Sequence, residues 1–219
     1  GATFMDEPGA CKPSHGTTLE GGVKSCDTCH PGWKTNCTFC HGGMDNQTGA
    51  PPWTVAGSAT AAAVGAHTLH LSDSDWKNAY SCDMCHVVPA DALSPGHIDG
   101  DGVAEVGLND CNGGTWSHAS GTCSSVYCHG NGKSTNQGGS ATWTGGALGC
   151  NSCHPNNGLG GEHGEHNFAC GTCHNQTATG SNNISNPDNH VNCVVDVSGP
   201  FTFNGSSCSS ISCHGGESW

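Results

Sequence analysis

The chain has 219 residues, of which 33% are hydrophobic, 6% aromatic and 11% charged, with 35 glycines and a formal charge of −13. So few apolar side chains cannot build the interior that this length usually encloses, and the charged fraction is too low for repulsion to define a disordered chain. With 5 Lys plus Arg against 18 Asp plus Glu, nucleic acid and anionic membrane faces are poor partners, and no stretch reaches the roughly 18 apolar residues of a membrane helix.

Seventeen cysteines and fifteen histidines are the anomaly that can replace a side-chain core. In chain order, residues 1–32 carry Met5, Cys11 and His15 and then C-x-x-C-H at Cys26, Cys29 and His30. The same pattern recurs at Cys37, Cys40 and His41, at Cys82, Cys85 and His86, at Cys150, Cys153 and His154, and at Cys170, Cys173 and His174. C-x-x-C-H is the attachment signature of c-type haem. Two thiols add to the haem vinyl groups and the adjoining histidine offers a proximal imidazole to iron. Positions i, i+3 and i+4 share one side of a helical turn, so the spacing predicts a single-turn helix at each motif.

Two motifs are longer: Cys123, Cys128 and His129, and Cys208, Cys213 and His214. Cysteines five apart fall roughly 140° apart on an ideal helix, so the loop between them must bulge for both thiols to reach one porphyrin. The plain alternative is a pair of disulfide or free cysteines followed by a chance histidine. Zinc knuckles would explain paired cysteines but not a histidine after every second one. A thioredoxin-like motif would occur once, inside a βαβ pattern.

Seven irons with six ligands each need seven distal groups. Outside the motifs stand His15, His67, His70, His97, His118, His163, His166 and His190, eight candidates for seven positions. Met5 and Met44 are the remaining alternatives, since Met84 is caught inside a haem-binding loop. The expectation is bis-histidine ligation throughout, with one histidine to spare. His67/His70 and His163/His166 are each three apart and share a face, so each pair should serve two neighbouring haems.

The order of these features repeats. Trp33 begins a unit of C-x-x-C-H, H-x-x-H, C-x-x-C-H, His97-Ile98-Asp99 and C-x4-C-H-G; Trp143 begins another that ends Cys208 to Gly215. Val103 to Val106 in the first matches Val194 to Val197 in the second. The expected division is a one-haem segment over 1–32, a three-haem unit with linker over 33–142 and a three-haem unit over 143–219, in one body. His15 and His118 fall outside the repeat and either can serve the remaining iron; His15 can also reach a haem of a neighbouring molecule. The fold class expected is mostly irregular coil, with short helices at the haem motifs and near His67 to Leu71 and few short strands, built around a haem chain. Residues 56–66 read as linker or a short helix, and the valine-rich runs as short strands. Cys11, Cys111 and Cys193 allow at most one internal disulfide, with no pairing preferred.

His67 to Leu71, Cys82 to Pro89, His97 to Gly100 and Gly121 to Gly130, echoed at His163 to His174 and His190 to His214, resemble the C-x4-C-H/C-x-x-C-H multihaem cytochromes of Geobacter-like metal-reducing bacteria. The resemblance runs from about Trp33 to Gly215 and departs at Cys193, where the first unit has Gly100. It implies export, to the extracellular space or outer surface, and transfer of respiratory electrons to metal oxides or electrode-like acceptors. Some relatives of this kind polymerise into conductive filaments, so further copies of the chain and redox-partner cytochromes are the implied partners. The expectation is thus an electron carrier with seven covalent haem c groups and no catalytic residue. The alternatives are a monomeric periplasmic or outer-surface shuttle, an electron store, and a multihaem reductase. The last would need an iron with an open sixth position, and no C-x-x-C-K variant is present.

Overall fold

The computed structural model describes residues 26–37, 41, 64–97, 103–109, 111, 113–131, 139–154, 159, 161–210 and 217–218. His15, Cys40, Cys213 and His214, together with Cys11, Met5, Met44 and most of 56–66, lie outside the described residues.

Most described residues form turns, bends and irregular coil, with a few one-turn helices and short strands. Each C-x-x-C-H sequence winds up for a local reason. The carbonyl of the first cysteine accepts the N–H of the histidine four residues on, at 2.9 Å for Cys37–His41, Cys82–His86 and Cys170–His174 and 3.3 Å for Cys150–His154. Where the turn is 3-10, the same carbonyl also accepts from the second cysteine, at 3.2 Å for Cys82–Cys85 and Cys170–Cys173. One shared acceptor therefore gathers the three chemically active positions of the motif. The helix over Cys26–Cys29 (α1) and the 3-10 turns at Cys82–Met84, Cys150–Ser152 and Cys170–Thr172 are all of this length. The expected helix near His67 is present as His67–Leu71 (α2).

Backbone packing divides the chain into two compact units. One comprises Gly1–Leu71 and Ser81–Gly107, the other Ser72–Tyr80 and Leu108–Trp219. In the first unit Trp33 is buried, and Ala92 donates its N–H to the Lys34 carbonyl at 2.7 Å.

The second unit holds two antiparallel three-stranded sheets: Thr115–Ser117 (β1), Thr122–Val126 (β2) and Gly139–Thr142 (β3), then Thr202–Phe203 (β4), Ser207–Ser209 (β5) and Glu217–Ser218 (β6). Strand order follows chain order, so β2 and β5 are central. Each central strand carries the first cysteine of a long motif. Cys123 faces Trp116 and Ala141, and Cys208 faces Phe203 and Glu217. Two residues after each cysteine the backbone turns left-handed, at Ser125 (φ 58°) and Ser210 (φ 61°). In β2 the pairing register shifts between Cys123 and Val126, and a 3-10 turn over Tyr127–His129 follows. The expected bulge is thus a strand, one left-handed residue and a tight turn, in place of a widened helix.

The strands do not fall where the valines suggested. Residues 103–106 and 194–197 form no strand. Each makes a single backbone contact with a C-x-x-C-H turn just past the run instead: Gly107 donates to the Cys85 carbonyl at 2.9 Å, and Ser198 to the Cys173 carbonyl at 2.8 Å. A turn offers one outward carbonyl where a strand would offer a row, so pairing stops after a single residue.

Among the described residues the buried apolar side chains are Trp33, Val126, Ala178 and Cys208. That is too little to supply an interior by side chains alone. Cys111 and Cys193 form a disulfide within the second unit, with Cα atoms 6.0 Å apart across 82 residues of sequence.

Candidate metal centres

Histidine rings meet in facing pairs. In the first unit the ring centres of His41 and His97 are 6.1 Å apart and those of His67 and His86 6.2 Å. In the second unit His154 and His190 stand at 6.2 Å and His163 and His174 at 6.3 Å. Each pair joins a motif histidine to a histidine from elsewhere in the chain. The pairing also follows the repeat, since His41/His97 corresponds to His154/His190 and His67/His86 to His163/His174.

This separation lies within the range of ordinary ring packing, and it also has a chemical equivalent. An imidazole nitrogen binds a transition metal at roughly 2.0 Å and lies about 1.1 Å from its ring centre, so two ligands on opposite sides of one ion put ring centres roughly 6.2 Å apart. The paired residues therefore fit one six-coordinate iron between each pair of rings. Among the described residues no three His, Cys, Asp or Glu side chains gather into a site for a bare metal ion.

The other ring nitrogen is committed elsewhere. His86 Nδ1 donates to the Glu105 carbonyl at 2.8 Å and His174 Nδ1 to the Asp196 carbonyl at 2.5 Å. His67 and His70 donate within their own helix region, to Val64 at 2.9 Å and Ala66 at 2.8 Å. His97 donates to the Ala92 carbonyl at 3.0 Å and His190 to the Trp76 carbonyl at 2.6 Å. A carbonyl can only accept, so each of these rings carries its proton on Nδ1 and presents Nε2 as a lone pair. Burial, followed by the neighbouring His97, His67 and His86, lowers the pKa of His41 below the usual histidine value. Burial also lowers that of His190, opposed by the bond to Trp76 and reinforced by His154. Both effects favour the neutral, ligating form.

Sequence reasoning missed the partners of these histidines because backbone acceptors have no side-chain signature. One signal was present: the matched runs ending Glu105-Val106 and Asp196-Val197 place equivalent carbonyls on His86 and His174. The segment that reaches His190, by contrast, has no counterpart in the repeat.

The remaining motif elements sit as follows. His30 follows α1, and His129 ends the turn after β2. The His166 ring lies 5.9 Å from Phe168. His118, in the exposed turn after β1, sets its ring edge against Trp116 at 5.7 Å, and Trp116 in turn meets Trp143 at 6.1 Å. Exposed large apolar side chains flank the sites: Val87 and Val88 follow His86, Leu69 lies between His67 and His70, Phe168 is two residues past His166, and Leu148 is two before Cys150. An apolar macrocycle between each pair of rings is what such side chains would cover. Among the described residues no helix is long and apolar enough to cross a membrane.

Residues 122–154 match the family model for the Geobacter CxxxxCH...CXXCH motif. The matched stretch runs from Thr122, beside Cys123, through His129 to the motif ending at His154. No curated protein and no solved structure matches the chain. The motif match supports covalently bound haem c in a multihaem c-type cytochrome, and with it a role in electron transfer.

Proposed function

We propose that the chain is a seven-haem, bis-histidine electron carrier. The observation that carries this reading is the set of four imidazole pairs, each joining a motif histidine to a distal one at 6.1–6.3 Å. When bound, haem c supplies one-electron redox chemistry. The motif cysteines would hold the porphyrin through thioether bonds, and the paired histidines would offer their Nε2 atoms to its iron. Nδ1–carbonyl bonds keep the rings turned toward iron. Two neutral imidazoles per iron leave no position for substrate, which favours electron transfer over catalysis.

By the repeat, His70 and His166 are the distal ligands left for the long-motif haems or for the haem at His30, with His15 and His118 as the remaining pair of candidates. The three-haem repeat after a one-haem N-terminal segment follows from the same correspondence. The carrier is exported and works at the outer surface, where copies join into a filament that delivers electrons to metal oxides. The exposed turn bearing His118 supports a surface-facing role, and the acidic composition favours cationic partners or positively charged mineral surfaces.

Intact mass and a haemochrome assay on the purified protein should give seven covalent haems, and the oxidised spectrum should be low-spin throughout. A high-spin fraction that binds carbon monoxide would favour a reductase. Micrographs should show unbroken filaments; a monodisperse monomer at high concentration with all irons ligated internally would remove the filament.

A further inference from the structure

The first repeat contains a segment that the second lacks. Eleven residues separate His70 from Cys82, whereas three separate His166 from Cys170. The extra residues, Ser72–Tyr80, pack as part of the second unit. They are held in a compact turn: Ser74 donates its N–H to the Lys77 carbonyl at 2.9 Å, and Asp73 Oδ1 accepts the Ala79 N–H at 2.8 Å.

The segment brings two things to His190. Trp76 gives its carbonyl to His190 Nδ1 at 2.6 Å, from 114 residues away in sequence, and sets its indole edge-on to the ring at 6.3 Å. The repeat counterpart, His97, takes a carbonyl only five residues away, that of Ala92. The second contribution is Lys77. It is 7% exposed, the buried charged residue among those described, and it lines the same small cleft as His190. Its Nζ donates to the carbonyls of Ser72 at 2.7 Å and Asn78 at 3.2 Å, and lies 5.1 Å from the Tyr80 ring centre. These are the contacts of an ammonium.

We propose that Ser72–Tyr80 is a tuning clamp: Trp76 orients His190 while the buried charge of Lys77 raises the reduction potential of the haem held by His154 and His190 above that of its repeat counterpart held by His41 and His97. The inference rests on those histidines being axial ligands. Reduction adds one electron to the centre, and a fixed cation in a poorly solvated cleft favours that state. The carbonyl on Nδ1 acts the other way by enriching the imidazole, but both counterparts have one, so it largely cancels in the comparison. The acidic groups nearby, Asp73, Asp75 and Asp188, are exposed, so water weakens their opposing effect without removing it, and Asp188 Oδ1 also accepts from Asn78 at 2.5 Å. Asp73 still acts on the lysine, holding up a pKa that burial lowers.

The test is a spectroelectrochemical titration of the full haem-loaded protein and three variants. Lys77→Met should move one haem's share of the absorbance change to lower potential, and Lys77→Arg should leave it in place. Asp73→Asn, at an exposed position, should move the same component upward and decides the matter if Lys77→Met does not load its haems. The component is identified as the one that turns high-spin in His190→Ala. Curves of Lys77→Met and Asp73→Asn that superimpose on wild type, with every haem low-spin, overturn the tuning but leave the ligand assignment intact. A His190→Ala spectrum unchanged from wild type overturns the ligand assignment, and the tuning with it.

Discussion

A histidine ring becomes a dependable metal ligand only when its second nitrogen is occupied, and here that task falls to backbone carbonyls. His86 and His174 show the device in duplicate, on Glu105 and Asp196. Replacing a distal member of a pair should therefore free one iron without unfolding its neighbours. His97→Ala and His163→Ala should each convert one haem to a high-spin, carbon-monoxide-binding form, read in the oxidised spectrum and in a carbon monoxide difference spectrum; a wholly low-spin spectrum would contradict the pairing. Ser125 and Ser210 occupy left-handed backbone, which costs a residue with a Cβ roughly 1–2 kcal/mol. Ser125→Gly should gain up to about 1 kcal/mol in a denaturant titration, offset in part by the added freedom of glycine in the unfolded chain. Motif cysteines and histidines could be read directly from the sequence because their chemistry fixes their spacing. The acceptors Glu105, Asp196, Ala92 and Trp76 could not, since any residue brings a carbonyl.

Elements in this chain are short because each is shaped by one motif. The one-turn helices were legible, their i, i+3, i+4 geometry being written in the cysteine and histidine positions. The strands were not. Thr122–Val126 and Ser207–Ser209 are rich in Ser, Thr and Cys, whereas the valine runs that suggested strands meet a C-x-x-C-H turn through one backbone pair and one histidine ring. Tertiary surroundings outweighed β-propensity in both directions. Close packing within an element gives a sharp test at Gly171, in the Cys170–Thr172 turn. A Cβ there would lie 2.6 Å from the Ala178 carbonyl oxygen and 2.9 Å from the Thr179 carbonyl carbon, and this is backbone, which cannot swing away as a side chain would. Gly171→Ala should destabilise by about 1–3 kcal/mol, seen as a lower melting temperature of the haem-loaded protein. The Cys111–Cys193 disulfide closes a long loop and tethers the segment just past His190. Removing it as Cys111→Ser with Cys193→Ser should cost about 4 kcal/mol by loop entropy, measured by guanidinium unfolding against the parent.

At the level of the whole molecule, the buried apolar residues among those described are Trp33, Val126, Ala178 and Cys208, and on the seven-haem reading the fold depends on what the histidine pairs would enclose. The same polypeptide made without haem attachment should be unfolded, with narrow amide dispersion in its NMR spectrum and no cooperative melting transition. A folded haem-free chain would refute this dependence. The composition announced as much, because 33% hydrophobic residues could not fill a chain of this length. What composition could not announce was that Ser72–Tyr80, lying in the first repeat, would pack in the second unit. An insertion breaks the repeat, and a repeat is what sequence reading follows.

The placement of Cys208 carries a consequence for biogenesis. Its thiol lies on a central strand and the residue is 6% exposed, flanked by Phe203 on β4 and Glu217 on β6. A porphyrin arriving after β6 has zipped onto β5 would find that sulfur already covered. On the seven-haem reading, attachment at Cys208 therefore has to precede the closing of this sheet, which follows haem attachment as folding does in the rest of the chain.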